Sequence, residues 1–336
     1  YEISLGLVGS EMCIRDRCCM KILVVFTGGT IGSCYNDGVI SPDSSTRYKL
    51  IEMYKQNGGY AEFDAISPYT VLSENLNGEY FNLLYNSVKE NINNYDGIIV
   101  THGTDTLQYT SAVLSYMFGL CNTPIVLVSA NYPLESEKSN GLENFSAAVD
   151  FIKSGNNKGV FVAYKNNCEH ANIHRASRLQ KHLAYSDKIE SVNNIYYGEI
   201  INGNFIKNIN YTEKQDEIKF GNLPVFKSTS PVLKITPYVG MAYPQLNKNI
   251  KAVLTESYHS GTVNTASKDL EKFCNTAKQF NIPVFLTGSE TGFFYESKEL
   301  YSKLGIQVLP TLTPISAYIK PVSYTHLRAH ETEADL

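Results

Sequence analysis

Apolar and polar positions along this chain fall into blocks of two lengths. Short β-branched runs occur at residues 21–27 (KILVVFT), 97–101 (GIIVT), 124–130 (PIVLVSA) and 159–164 (GVFVAY), each closed by glycine or polar residues. They read as buried parallel strands. Between them, residues 46–56, 78–93, 105–119 and 140–153 carry apolar positions at helical spacing, and the second stretch ends in the polar NINNYDG, a stop before the next strand. From 196 to 229 the periodicity dissolves into Tyr, Asn, Lys and Pro, the pattern of a connection. A second series follows, with strands at 232–236 (VLKIT), 251–255 (KAVLT) and 283–287 (PVFLT) and a helix at 266–280 whose Asp269, Glu271 and Lys272 face solvent. Strands alternating with helices predict an α/β protein of two domains, a larger N-terminal parallel-sheet domain over 20–195 and a smaller α/β C-terminal domain over 230–320.

The ends change the picture. Residues 1–17 and 321–336 resemble translated sequencing-adapter sequence fused to a gene fragment, so 1–19 and 321–336 are read as non-native tails and the second domain as truncated. The first 19 residues also lack the basic start and sustained apolar core of a signal peptide. Of the formal charge of −4, most sits in these tails. A nearly neutral body argues against nucleic-acid or membrane-surface partners. No apolar run reaches the length of a membrane span. Cys34, Cys121, Cys168 and Cys274 in the body match no zinc or redox spacing, which favours a reducing cytoplasm and buried, space-filling cysteines.

Chemistry enters at TGGTIG, residues 27–32, where the first strand ends. Glycines there allow close backbone approach, but Gly28, Gly29 and Gly32 do not make a dinucleotide fingerprint, and no lysine follows as in a P-loop. What remains is the hydroxyl of Thr30 behind two glycines. THGTDT, residues 101–106, occupies the same place after another strand. Taken alone, Thr104 and Asp105 read as helix caps. Beside a second hydroxyl loop they become a candidate site.

TGGTIG followed by HGTDT resembles the two signatures of the type I L-asparaginase family, and YTVLSENL (69–76), PIVLVSANYPLESEKSNG (124–141), RASRLQK (175–181) and SYHSGTVN (257–264) are similar to it as well. The resemblance implies hydrolysis of L-asparagine to L-aspartate and ammonia, without metal or cofactor, by a homodimer or homotetramer whose SYHSGTVN segments complete neighbouring sites. By family position Thr30 is the nucleophile of an acyl-enzyme. Thr104, Lys181 and Asp105 resemble a second triad, in which the lysine lowers the cost of a charged oxygen on Thr104 and Asp105 holds the lysine or the substrate ammonium. Ser73 matches the serine that binds the α-carboxylate, and backbone N–H groups about Gly29 and Gly103 are placed to hold the oxyanion. His102 reads as support for its turn, outside the proton path.

One position departs from the family. Its loop tyrosine corresponds to Val39 in NDGVISPD, leaving Tyr35, four residues earlier, as the replacement. Ser41 has a weak hydroxyl, and Tyr48 reads as a packing residue beside Leu50 and Ile51. The loop 33–45 is expected to move as a lid. The same fold could instead serve glutamine, or the amidase subunit of tRNA-dependent transamidation. A non-catalytic α/β ligand-binding module is the reading from a different class.

Overall fold

This computed structural model describes residues 20–36, 39–42, 46–212, 225–289, 295–310 and 312–320; the segments read as adapter-derived, 1–19 and 321–336, fall outside them. The apolar runs form β1 (Lys21–Phe26), β5 (Gly97–Thr101), β6 (Ile125–Val128) and β7 (Val160–Lys165). With β4 (Glu62–Ile66), which pairs along the far side of β1, they make five neighbouring parallel strands. Three antiparallel strands extend the sheet beyond β7: β8 (Ala171–Arg175), β9 (Gly198–Ile201) and β10 (Asn204–Lys207). The order is β10-β9-β8-β7-β6-β5-β1-β4.

Both faces of this sheet are covered, which is why the strand cores read as continuous apolar runs. Leu23, Val25, Val100, Leu127 and Val162 pack under α2 (Gly78–Asn91) and α3 (Leu107–Phe118). Ile22, Val24, Ile99, Val126 and Phe161 pack under α1 (Thr46–Gln56) and α4 (Gly141–Lys153). A second sheet, all parallel, runs β11 (Val232–Ile235), β12 (Ala252–Glu256), β13 (Val284–Thr287), β14 (Ile306–Leu309). Its core gathers Val253 and Leu286 with Leu270, Phe273 and Cys274 of α5 (Lys268–Gln279) and Tyr301 of α6 (Glu296–Leu304). Asp269, Glu271 and Lys272 face solvent as expected. No helix among the described residues is long and apolar enough to cross a membrane.

Several elements differ from the sequence reading. The stretch taken as a connection contains the β9–β10 hairpin of the large sheet, while residues 213–224 within it lie outside the described residues. β8, ANIHR, is fully buried despite its polar letters. Arg175 makes this tolerable: its guanidinium donates to the Lys158 carbonyl at 2.6 Å and stacks on Phe161 and Tyr197 at 4.3 and 4.8 Å. Within the loop expected to move as a lid, the backbone of β2 (Ser33–Asn36) pairs with β3 (Val39–Pro42), a hairpin that the Asp-Gly between them in sequence favours. Tyr48 is 63% exposed while its neighbours Leu50 and Ile51 are buried, so it is not a packing residue. Among the cysteines Cys274 is buried, but Cys121 is half-buried and Cys168 is exposed, which removes the space-filling role for Cys168.

Candidate active site

The chain passes from β1 to β4 on one side and then to β5 on the other, so its direction across the sheet reverses at β1. Ligands of open α/β sheets bind in the crevice beyond the carboxyl ends of the strands at such a point. Phe26 of β1 lies level with Thr101 of β5, and TGGTIG and THGTDT therefore leave the sheet side by side. The Thr27 hydroxyl donates to the Thr101 carbonyl at 2.6 Å and ties the two strand ends together.

Glycine lets the turns touch. At Gly29 a Cβ would stand 2.2 Å from the Gly103 nitrogen, and at Gly103 it would stand 2.4 Å from the Ser73 hydroxyl. Gly29, at φ 74°, precedes a single 3-10 turn, Thr30–Gly32, held by the Gly32 N–H and the Ser33 hydroxyl, which both donate to the Gly29 carbonyl at 3.0 and 2.7 Å. The connection after β4 joins them: the Gly29 N–H donates to the Val71 carbonyl at 3.2 Å and the Val71 N–H to the Thr27 carbonyl at 3.1 Å. That connection delivers Ser73, buried, with its hydroxyl 3.4 Å from a carboxylate oxygen of Asp105.

Thr104 and Asp105 are not the caps of α3, which begins only at Leu107 after Thr106, and Thr106 does not cap it either. The Thr106 hydroxyl donates instead to the Ser73 carbonyl at 2.9 Å, and the Gln108 amide donates to the Asp105 carbonyl at 2.9 Å. Both residues read in the sequence as ordinary helix, and no spacing singles them out. The result is a half-buried Thr30 and Thr104, each one residue beyond a contacting glycine, with an exposed Asp105 carboxylate beside Ser73.

Two predicted members have no described contact with these turns. Lys181 follows the 3-10 turn Ala176–Arg178 on a segment paired through the Gln180 N–H to the Glu190 carbonyl at 2.9 Å; it is exposed, and among the described residues no hydrogen bond or ion pair joins it to Thr104 or Asp105. The Tyr35 side chain, like those of Val39 and Ser41, lies outside the described residues. SYHSGTVN makes a tight turn after β12, the Tyr258 N–H donating to the Thr262 carbonyl at 2.8 Å, with Tyr258, His259 and Ser260 exposed.

His102 is a fastener. The Gly103 carbonyl can only accept, so Nδ1 donates to it at 2.8 Å and Nε2 accepts the Thr110 hydroxyl at 2.7 Å. Burial lowers this imidazole's pKa to about 4, and His174, whose Nδ1 meets the Ser191 hydroxyl at 2.8 Å, is likewise lowered by burial to about 4. Unfolded histidine titrates near 6.5, so between pH 6.5 and 4 the unfolded chain binds protons that the folded chain refuses. Stability is therefore full above that window and falls as pH drops through it, by up to roughly 3 kcal/mol per histidine. Urea unfolding at a series of pH values should show a slope over this window that becomes shallower in His174→Gln; an unchanged slope would show that His174 does not stay neutral.

Paired hydroxyl turns at the switch point, beside a serine and a carboxylate, make the candidate site of an α/β protein. Residues 21–214 match the family model described as Asparaginase, N-terminal, and the chain belongs to the asparaginase family. Among curated relatives it is 28% identical over 301 residues to a glutamyl-tRNA(Gln) amidotransferase subunit from Methanosphaera stadtmanae, covering 84% of this chain and 65% of that one. To the protein of the same description from Methanococcus vannielii it is 31% identical over 238 residues, 68% of this chain and 54% of that one. The chain thus spans between about half and two thirds of the length of these two relatives. In fold it is similar to the thermostable L-asparaginase from Thermococcus kodakarensis (TM-score 0.67, 22% identity, 88% of each chain). It is also similar to L-asparaginase I from Vibrio cholerae (TM-score 0.69, 20% identity, 92% of this chain and 93% of that one).

Proposed function

We propose that this chain is an amidohydrolase that releases ammonia from the side-chain carboxamide of a free amino acid. The observation that carries the reading is the close approach of Gly29 and Gly103, which brings together the turns that bear Thr30 and Thr104. The Thr30 oxygen attacks the amide carbon, the C–N bond breaks as the nitrogen takes a proton and leaves as ammonia, and water then hydrolyses the threonine ester. Asp105 receives the α-ammonium and Ser73 donates to the α-carboxylate, which fixes the side-chain amide at Thr30. Backbone N–H groups of the two turns stabilise the oxyanion, other than those of Gly29 and Gly32, which donate within the fold. The roles of Lys181 as the cation beside Thr104 and of Tyr35 as the proton-transfer partner rest on the resemblance of their segments alone.

The sequence relatives favour one version of this chemistry, in which the released ammonia serves amidation of a glutamyl-tRNA and glutamine is a donor amide. Hydrolysis of free L-asparagine is the second version, supported by the TGGTIG and HGTDT motifs. Ammonia release from glutamine and from asparagine, measured side by side by kcat/KM, separates them: preference for glutamine supports the transamidation role, preference for asparagine the asparaginase. No Thr30-dependent release from either amide would refute the proposal.

A further inference from the structure

We infer that a cavity between α2, α3 and the small sheet is a second binding site, for a small carboxylate with an apolar or aromatic body. The cavity has a volume of about 430 Å³, within the range of small-molecule sites. One wall is hydrocarbon, where Phe81 of α2 meets Phe226 edge-on at 5.6 Å between ring centres. The other wall carries donors. Lys234 of β11 pairs with Glu256 of β12 at 2.8 Å, the side chains only 19% and 16% exposed, and lies 6.0 Å from the ring centre of Tyr109 on α3. Burial, the largest single influence, lowers the pKa of this ammonium, but the hydrogen bonds and charges of Glu256 and Tyr109 together more than reverse it, so it is charged. Glu256 and the Tyr109 hydroxyl take two of its three N–H bonds, which leaves one donor for a ligand.

Tyr318 stands edge-on to Tyr109 at 6.0 Å, and its hydroxyl lies beside that of Ser230, whose oxygen already accepts the Val232 N–H at 3.1 Å. A charged ammonium, two phenols and a serine hydroxyl, each able to donate, surround one space. A carboxylate is the group that complements them, because hydrogen bonds from a cation to an anion are the strong ones. The aromatic wall selects against a small, fully hydrated anion such as phosphate, which gains nothing by displacing water from phenyl rings.

The cavity also reaches the crevice described above. Thr106 lines it and donates to the Ser73 carbonyl at 2.9 Å, so an occupant bears on the residue assigned to the substrate carboxylate. This second link, unlike the binding site itself, rests on the proposed function. Titration calorimetry on the full chain with 3-phenylpropionate, and with phenethylamine as a cation of similar size, tests the site without any assay of turnover. Saturable binding of the acid and none of the amine is expected, weakened tenfold or more in Lys234→Met and severalfold in Tyr318→Phe, which keeps the ring and so preserves packing. Absence of binding, equal binding of acid and amine, or unchanged affinity in both variants would overturn the site. A KM for the amide substrate that stays constant at saturating 3-phenylpropionate would overturn the link to Ser73 alone.

Discussion

Thr30→Ala abolishes ammonia release, by about 10³-fold or more in kcat, while the protein unfolds at the same denaturant concentration as the wild type. The two halves of this expectation come from different observations. The other hydroxyl of TGGTIG, that of Thr27, is buried and committed to the Thr101 carbonyl, so the chemistry has no second route through this turn. The fold, by contrast, does not use the hydroxyl: among the described residues the Thr30 side chain makes no hydrogen bond, and its position is only half-buried. Steady-state rates beside urea midpoints check both halves, and a variant that kept wild-type kcat would remove Thr30 as the nucleophile.

Gly29→Ala has the opposite profile and fails through structure. The residue sits at φ 74° and ψ −179°, a region that side chains all but exclude, and its Cβ would lie 2.2 Å from the Gly103 nitrogen and 2.4 Å from the Gly103 Cα. Both neighbours are backbone, which cannot rotate out of the way. A loss above about 3 kcal/mol in stability is expected, together with activity. Gly32, in the same motif, is the control, since a Cβ there has nothing within 4 Å and its φ is not in the left-handed region. Gly32→Ala should stay within about 1 kcal/mol of wild type. Equal stability losses at the two positions, read from urea unfolding, would show that the contact with Gly103 does not set the requirement for glycine.

The central strands of the large sheet were legible because burial on two faces demands nearly continuous apolar letters, as in KILVVF and GIIVT, whereas β14 of the small sheet, partly exposed, was missed. β8 was not legible, since Asn172, His174 and Arg175 read as surface and become interior only through partners distant in sequence. β4 was missed for a different reason: an edge strand, half-exposed along its length, carries no strong pattern. At the site, Thr30 and Thr104 could be found because glycine punctuation marks their turns. Thr106 and Gln108 could not, because their hydrogen bonds to Ser73 and Asp105 appear only once the β4 connection has been folded against the THGTDT turn. The hairpin of β2 and β3 is foreshadowed by Asp-Gly, but the segment has few apolar anchors and was read as a moving loop.

The imidazole that fastens the second turn also bears on how rate measurements are interpreted. His102 holds the Gly103 carbonyl with one nitrogen and receives Thr110 with the other, an arrangement available only to the neutral ring. Protonation would leave Nε2 facing a hydroxyl that must turn around, and the loop bearing Thr104 would lose its anchor to α3. An acid limb in a profile of kcat against pH, centred near pH 4, would then belong to scaffolding, although its shape would imitate the titration of a catalytic base. Thr110→Val separates the two origins: it moves such a limb if the fastener causes it and leaves the limb in place if a proton-transferring group does.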